Sequence, residues 1–456
     1  MSISVLICIL LAVFLVADVL IQKSFCTPVC FFAGVWLIIL SAGSLGLYGF
    51  SGYSEQTAAI IFVGVCSFIC GVYAIEGLMQ KRGMTRNKTS LFSLQDGPYV
   101  HQLSNNVPVR SDVSVNMHFL TVILALSFTG HIISFWYTFR ALLSGLSLGE
   151  VRGNLMGYSD DYVIGNPIID TYYVYFCTPA MTVLLPLAVV FFFQKRHQKF
   201  VGVTMLCFLM QIASRGGRMG IFDLILMIIV CFIYFRRKLS RRTKRLLLAI
   251  IVSGVIAMGI IGVARGNNEI FRNVYTYFTI SAPMFERYSQ AFLQADFASY
   301  GGATFYPFMY LIDAFTNIMG GNVKYLEELV YFVGYPQDTW LSGIYPTGVL
   351  NAFSSEFYFF YMDFRLFGVV IFSFMHGAIC SFFYVRSFKQ HNTTMLLWYL
   401  LMVHGMFFSF VIWQLGNTKF FVSMTILIVA QLTANISRNR RSNLCVNNRQ
   451  LISHDY

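Results

Sequence analysis

Residues 200–235 read FVGVTMLCFLMQIASRGGRMGIFDLILMIIVCFIYF, two strongly apolar runs that meet at the polar stretch SRGGRMG. Similar apolar runs recur along the whole chain, and 57% of the 456 residues are hydrophobic while only 11% are charged. Runs of about 20 such residues have the length of a helix that crosses the hydrocarbon core of a bilayer. The sequence therefore predicts an all-α, polytopic membrane protein.

The hydropathy pattern predicts about eleven membrane spans. No internal repeat, low-complexity segment or soluble domain interrupts them, so residues 1–456 are expected to form a single integral membrane domain. The first span has no positive segment before it and is followed by Lys23, which indicates a retained span and not a cleaved signal peptide. The predicted spans lie near 3–21, 28–50, 57–79, 115–137, 172–194, 200–213, 219–235, 246–264, 362–385, 394–414 and 418–435.

Lysine and arginine are distributed unevenly over the connections between these spans. KRGMTRNK, QKRHQK, FRRKLSRRTKR and VRSFK lie on alternate connections, and most of the 32 basic residues fall on that side. The positive-inside tendency makes this the cytoplasmic side, with the N-terminus outside and the C-terminus inside. This bias, together with a role for basic residues in attracting anionic lipid headgroups, explains the net charge of +12. No nucleic-acid partner is needed to explain it, and none is expected.

On the opposite, outer side the basic residues are nearly all arginine, whereas lysine is common on the inner side. Arginine offers a rigid, permanently charged fork that suits two oxygens of a phosphate or carboxylate. The bias therefore indicates an anion-binding site at the outer membrane face. The cysteines and histidines lack the spacing of metal ligands, and neither a metal nor a cofactor is expected.

Two pairs of arginines are the main candidates for binding the anion. In SRGGRMG the glycines permit a tight turn, and the amides that open the next helix favour an anion beside Arg215 and Arg218. Arg265 precedes Arg272 by seven residues, the separation that returns a helix to the same face. Arg287 is a further candidate. The alternatives are a lipid-headgroup anchor for the first pair and neutralisation by a nearby glutamate for the second.

Candidate general bases lie in GVLNAFSSEFYFFYMDFRLFGVV, at the entry to the predicted ninth span. Glu356 and Asp363 are seven residues apart, and either carboxylate suits activation of a hydroxyl group. The alternative for Asp363 is an interfacial ion pair with Arg365. His131, near the outer end of the fourth span, is a third candidate, while His376 is expected to be a packing residue.

The larger of two long outer segments, residues 265–361, is the predicted loop region of the domain. Connections of this length are usually functional. Within it, GGATFYPFMYLIDAFTNIMGG is expected to form an interfacial or re-entrant helix. The segment is rich in aromatic residues, most of which suit core packing or the membrane interface. Trp340, Tyr345 and Tyr358 are the candidates for sugar binding.

Two passages carry a resemblance to a known family: SRGGR at 214–218 and NAFSSEFYFFYMDFRLFG at 351–368. Together with the span count, the outer arginines and the long loop between late spans, they resemble the Wzy-type polymerases of O-antigen and other oligosaccharide repeat units. The second passage contains an aromatic residue followed by Asp363 and Phe364. Many members of that family continue with glycine, whereas this chain has arginine at position 365.

The resemblance implies a metal-independent glycosyltransferase of the GT-C type in the bacterial inner membrane. Its donor would be a glycan on undecaprenyl pyrophosphate and its acceptor the next lipid-linked repeat unit, both at the periplasmic face, where 265–361 would lie. The product would be O-antigen or capsular polysaccharide, with a flippase and a chain-length regulator as protein partners. The outer arginines would stabilise the pyrophosphate as it leaves, and Glu356, Asp363 or His131 would activate the acceptor hydroxyl.

Two other functions use related substrates. An O-antigen ligase shares the GT-C type and differs chiefly in its acceptor. A lipid-linked oligosaccharide flippase, or another transporter, would have charges deep in many spans and short loops. The long outer segment and the sparse deep charge favour the polymerase.

Overall fold

The computed structural model of this chain is almost entirely helical. It describes residues 3–81, 113–147, 150–151, 166–215, 217, 219–235, 241, 245, 247–249, 251–254, 256, 270–344 and 349–452. Within these ranges, seven helices are long and apolar enough to cross a membrane, and three shorter apolar helices accompany them. The prediction of a polytopic helical membrane protein is therefore confirmed.

The helices and strands follow one another in a simple order. A two-stranded antiparallel ladder pairs Leu341 with Leu350 and Ser342 with Val349. In chain order the elements are α1 (Ile3–Gln22), α2 (Pro28–Ser44), α3 (Glu55–Lys81), α4 (Met117–Leu143), α5 (Pro167–Gln194), α6 (Gln198–Arg215), α7 (Met219–Phe235), α8 (Ile270–Thr279), α9 (Ser281–Gln294), α10 (Tyr306–Ile318), α11 (Lys324–Asp338), β1 (Leu341–Ser342), β2 (Val349–Leu350), α12 (Ser355–Tyr384), α13 (Thr393–Phe407) and α14 (Thr418–Ile452).

These elements form two compact units. The first unit comprises residues 1–109 and 266–418, and the second comprises 110–265 and 419–456. In the second unit the Thr138 hydroxyl of α4 donates to the carbonyl of Ser214 in α6, at 3.5 Å. The Ser423 hydroxyl of α14 donates to the carbonyl of Pro179 in α5, at 2.9 Å. The second unit is thus a helical bundle with polar links between apolar faces.

Polar side chains fix where several helices begin. The Thr27 hydroxyl accepts a hydrogen bond from the amide of Cys30 at 3.1 Å and so caps α2, and the Asn392 side chain caps α13 in the same way. Such caps satisfy amides that have no partner within the helix. The predicted span 28–50 ends early, at Ser44, because Gly46 adopts a left-handed backbone with φ of 59°.

The helix α12 is a hairpin and not a single straight rod. Its backbone leaves the helical region at Phe364 (φ −139°, ψ 31°) and at Arg365 (φ 54°, ψ −135°). A short arm, 355–363, therefore folds back against a long arm, 366–384. Gly368 makes the close approach possible, because a Cβ there would collide with the carbonyl oxygen of Phe360. The predicted ninth span, 362–385, thus begins at the hairpin turn and not at a helix end. The long arm continues as helix beyond Tyr384, to Lys389.

The described part of the predicted loop 265–361 is mostly helical, and α9 belongs to the core of the first unit. Phe285, Tyr288 and Phe292 of α9 are fully buried. The predicted interfacial or re-entrant helix is α10, which begins at Tyr306. Its large apolar side chains are exposed, up to 82% for Ile318, which suits a helix in contact with lipid.

A second close helix contact in the first unit joins α3 to the long arm of α12. A Cβ on Gly71 would collide with the carbonyl of Phe374, and a Cβ on Gly377 would collide with the carbonyl of Phe68. The Ser381 hydroxyl donates to the carbonyl of Val72 across the same contact, at 3.0 Å. Small residues let two membrane helices approach this closely, so packing and polar contacts both contribute to their association.

We expect the substitution Gly71→Ala to destabilise the first unit. The added methyl group has no space, and overpacking of this kind costs about 1–3 kcal/mol. Gly77→Ala is the matched control, because it lies on the same helix and its Cβ would meet no atom within 4 Å. Thermal unfolding in detergent should show a lower midpoint for Gly71→Ala alone; equal midpoints for the two variants would contradict the tight contact.

Candidate functional site

The α12 hairpin brings two ionisable side chains together inside the first unit. Nδ1 of His376 on the long arm lies 3.1 Å from Oε2 of Glu356 on the short arm, although the contact is not aligned as a hydrogen bond. In a straight helix, twenty residues would separate them by about 30 Å. Both side chains have 0% exposure. A buried carboxylate and imidazole in contact form an acid–base pair that can share a proton.

Aromatic rings and irregular backbone surround this pair. The His376 ring lies 5.2 Å from the Phe68 ring and 4.9 Å from the Trp413 ring, both edge to face. Beside Glu356, the amides of Ser354 and Ser355 both donate to the carbonyl of Val411. The hydroxyls of Ser354, Ser355 and Ser373 are buried and bond to no group among the described residues. Irregular backbone with spare polar groups, inside an apolar helical unit, is typical of functional sites in membrane proteins.

Asp363 lies at the hairpin turn, and its carboxylate accepts hydrogen bonds from the loop 299–304, which precedes α10. Its Oδ1 accepts from the Ser299 hydroxyl and, at 3.0 Å, from the Ala303 amide, while Oδ2 accepts from the Thr304 amide at 3.0 Å. The Tyr325 hydroxyl supports the same loop by donating to the Ser299 carbonyl. Burial raises the pKa of Tyr325, and the neighbouring Asp363 and Tyr300 add to this effect, which keeps the hydroxyl a donor.

Arg365 lies at the reversal of the hairpin and does not pair with Asp363. One nitrogen, Nη2, donates to the carbonyl of Phe297 at 2.9 Å, and Cζ lies 5.1 Å from the centre of the Phe292 ring. The interfacial ion pair considered from the sequence is therefore wrong. The backbone at Arg365 is in a region that is essentially reserved for glycine, a conformation that costs about 1–3 kcal/mol.

The other predicted site residues of the first unit are spread over several elements. Arg287 on α9 is half-buried and donates to the carbonyls of Ser342 and Gly343, where it supports the end of β1. Arg272 is half-buried on α8. Trp340 is 46% exposed. Tyr358 is fully buried and donates to the Phe332 carbonyl, so its ring faces protein and not solvent.

The remaining predicted site residues belong to the second unit or lie outside the described residues. His131 of α4 is fully buried, with its ring 5.3 Å from that of Tyr173. The helix α6 ends at Arg215 and α7 begins at Met219, which confirms that SRGGRMG joins two helices. The residues that fall outside the described part are Arg218, Arg265 and Tyr345, together with the side chain of Arg215.

The sequence interpretation missed two features of this site. His376 was expected to be a packing residue, but it contacts Glu356; the signal was an ionisable residue inside a membrane helix, which is expensive unless it has a role. The loop 299–304 was not recognised as the partner of Asp363, although its SYGGAT sequence, with two adjacent glycines, favours a tight turn.

Comparison of the chain with known protein families, with curated proteins and with solved structures finds no match. Within the described residues, no three histidine, cysteine, aspartate or glutamate side chains are grouped so that they could hold a metal ion. The function therefore has to be argued from the side chains of this site.

We expect Asp363→Asn to lower the stability of the hairpin turn. An amide group in place of one carboxylate oxygen leaves a buried donor facing another donor, which costs about 1–3 kcal/mol. Asp313→Asn is the control, because the Asp313 side chain accepts only from Asn317 on the exposed surface of α10. Thermal unfolding in detergent measures both variants. An Asp363→Asn protein as stable as the control would show that these bonds do not hold the turn.

Proposed function

We propose that this protein is a membrane-embedded glycosyltransferase that joins undecaprenyl-pyrophosphate-linked oligosaccharide repeat units at the periplasmic face. We further propose that it has about eleven spans, a GT-C type architecture and a place in the bacterial inner membrane, with its C-terminus in the cytoplasm. The observation that carries the proposal is the buried contact between Glu356 and His376 at the base of the α12 hairpin. Arg272 and Arg287, two of the predicted anion-binding residues, belong to the same unit as this contact.

The proposed chemistry assigns each group one task. The acceptor hydroxyl attacks the anomeric carbon of the donor, and the bond from that carbon to the pyrophosphate breaks. The hydroxyl proton passes to Glu356, while the electron pair of the broken bond leaves with the pyrophosphate. His376 holds the carboxylate in position, and the arginines stabilise the negative charge that grows on the leaving group.

Access to Glu356 requires a change in its surroundings, because the side chain has no exposed surface. The segment 351–354 leads into the short arm, and the amides of Ser354 and of Ser355, the first residue of the arm, donate to the carbonyl of Val411. We propose that the acceptor reaches the carboxylate when this segment moves aside. Exclusion of water until then would protect the donor from hydrolysis.

A flippase is the second candidate, because carboxylates deep in the first unit suit a transporter. Asp18 of α1 is buried, and Glu76 of α3 is largely buried. Both are already paired: Asp18 accepts from the Tyr73 hydroxyl at 2.8 Å, and Glu76 lies 3.2 Å from the Lys389 amine. Such satisfied pairs favour a structural role for these carboxylates and leave the Glu356 site as the better candidate for chemistry.

We expect Glu356→Gln to retain the fold and to lose polymerisation. The amide keeps the shape of the side chain but cannot take a proton, and loss of a general base typically costs a factor of about 100–10,000 in rate. The test uses purified protein in detergent with undecaprenyl-pyrophosphate-linked repeat units, followed by gel analysis of glycan length. Glu328→Gln is the control, since Glu328 only pairs with Lys324 on the surface of α11.

The same assay tests the arginines of the second unit. We expect Arg215→Ala to abolish polymer while the protein inserts normally, because one fork for the leaving pyrophosphate is lost. Polymer of wild-type length from either Arg215→Ala or Glu356→Gln would overturn the role of that residue. If the wild-type protein forms no ladder from verified substrate, the polymerase proposal itself is wrong.

In cells, removal of the protein separates the polymerase from its alternatives. Loss of a polymerase should leave single repeat units attached to the lipid A core, because export and ligation continue. Loss of a flippase or a ligase should leave none. Analysis of lipopolysaccharide on gels distinguishes these outcomes.

A further inference from the structure

The guanidinium of Arg365 is held in place but carries a positive charge that no acidic group in the described part of the chain neutralises. Nη2 donates to the Phe297 carbonyl, and the group stacks over Phe292, so its direction is fixed. The other terminal nitrogen, Nη1, is buried and bonds to no group among the described residues. Asp363, two residues earlier, directs both oxygens to the loop 299–304.

A half-buried cation with a spare, buried donor favours an anionic partner. No carboxylate in the described part of the chain lies within ion-pair distance of Arg365. Removal of a charge from water is unfavourable unless an opposite charge compensates it. Since a guanidinium presents parallel N–H groups, an oxyanion such as a phosphate would fit the spare side of Arg365 best.

The surface around this turn is apolar. Phe364, Leu366 and Phe367, which flank Arg365, are 40%, 47% and 77% exposed. This apolar surface continues towards α10: the Tyr300 ring lies 6.2 Å from that of Phe364, and Phe305, just before α10, lies 6.0 Å from Phe372 of the long arm. An anion that also carries a hydrocarbon chain would satisfy both the cation and this surface.

We infer that Arg365 binds the phosphate of a prenyl pyrophosphate, with the prenyl chain lying along the apolar surface of Phe364, Phe367 and α10. The inference deepens the proposed function and rests on it for the choice of a prenyl pyrophosphate over other phosphate-bearing lipids. It adds a phosphate-binding residue that the arginine pattern did not select. It also accounts for arginine at a backbone position that favours glycine, since a functional side chain can justify local strain.

The test measures binding of farnesyl pyrophosphate to the purified full-length protein in detergent, by calorimetry. Arg365→Gly removes the guanidinium and also relieves the backbone, so this variant should be at least as heat-stable as the wild type. We expect its affinity for farnesyl pyrophosphate to fall at least tenfold. The affinity of Arg365→Lys should lie between those of the wild type and Arg365→Gly, because lysine keeps the positive charge but lacks the two parallel N–H groups of the guanidinium.

Arg386→Gln is the matched control, because Arg386 lies at the other end of the same helical region and stacks on Phe382. Its affinity should equal that of the wild type. Inorganic pyrophosphate, which lacks the chain, should bind more weakly than farnesyl pyrophosphate. Wild-type affinity in Arg365→Gly would overturn the inference. Equally tight competition by phosphatidylglycerol would also overturn it, in favour of a simple headgroup anchor.

This binding assay is independent of polymerisation, so the two proposals fail separately. If Arg365→Gly binds farnesyl pyrophosphate poorly but still forms a normal glycan ladder, the phosphate site stands and its role in polymerisation is wrong. If the wild-type protein binds through Arg365 and forms no ladder, the site again stands and the polymerase proposal fails.

Discussion

The carboxylate of Asp363 holds together the two irregular stretches of backbone on which the first unit depends. One stretch is the hairpin turn at Phe364 and Arg365, and the other is the loop 299–304 before α10. Backbone that leaves the helical pattern among apolar helices exposes amides that neither lipid nor apolar side chains can satisfy. The three hydrogen bonds to Asp363 remove this cost for Ala303 and Thr304 and fix the turn in the same step.

The position of the turn decides what the two arms of α12 can bring together. Because the short arm runs back along the long arm, Glu356 lies beside His376, whose ring is 4.9 Å from the ring of Trp413. The long arm in turn packs tightly on α3, through the glycine at position 377. A rigid long arm therefore carries the histidine, while the short arm that carries the glutamate is joined to irregular backbone at both ends. This difference is what the proposed opening at segment 351–354 requires.

The polytopic helical class and several of the membrane-spanning helices could be predicted from the sequence, and the hairpin could not. A span must present about 20 apolar residues to lipid, so the predicted 57–79 and 394–414 agree well with helices Glu55–Lys81 and Thr393–Phe410. The stretch EFYFFYMDFRLFGVV is mostly apolar, and although Asp363 and Arg365 lie at the turn, it has neither glycine nor proline at the reversal to signal a break in the helix. The contact of Glu356 with His376 depends on that reversal and was missed with it.

The strained backbone of Arg365 also has a consequence for how this protein changes over generations. Arginine codons of the CGN type become glycine codons by one base change, and glycine is the residue that this backbone conformation favours. Folding alone would therefore drive position 365 towards glycine in any lineage where the positive charge has lost its use. The proposed phosphate-binding role of Arg365 is the kind of use that would keep arginine at this position.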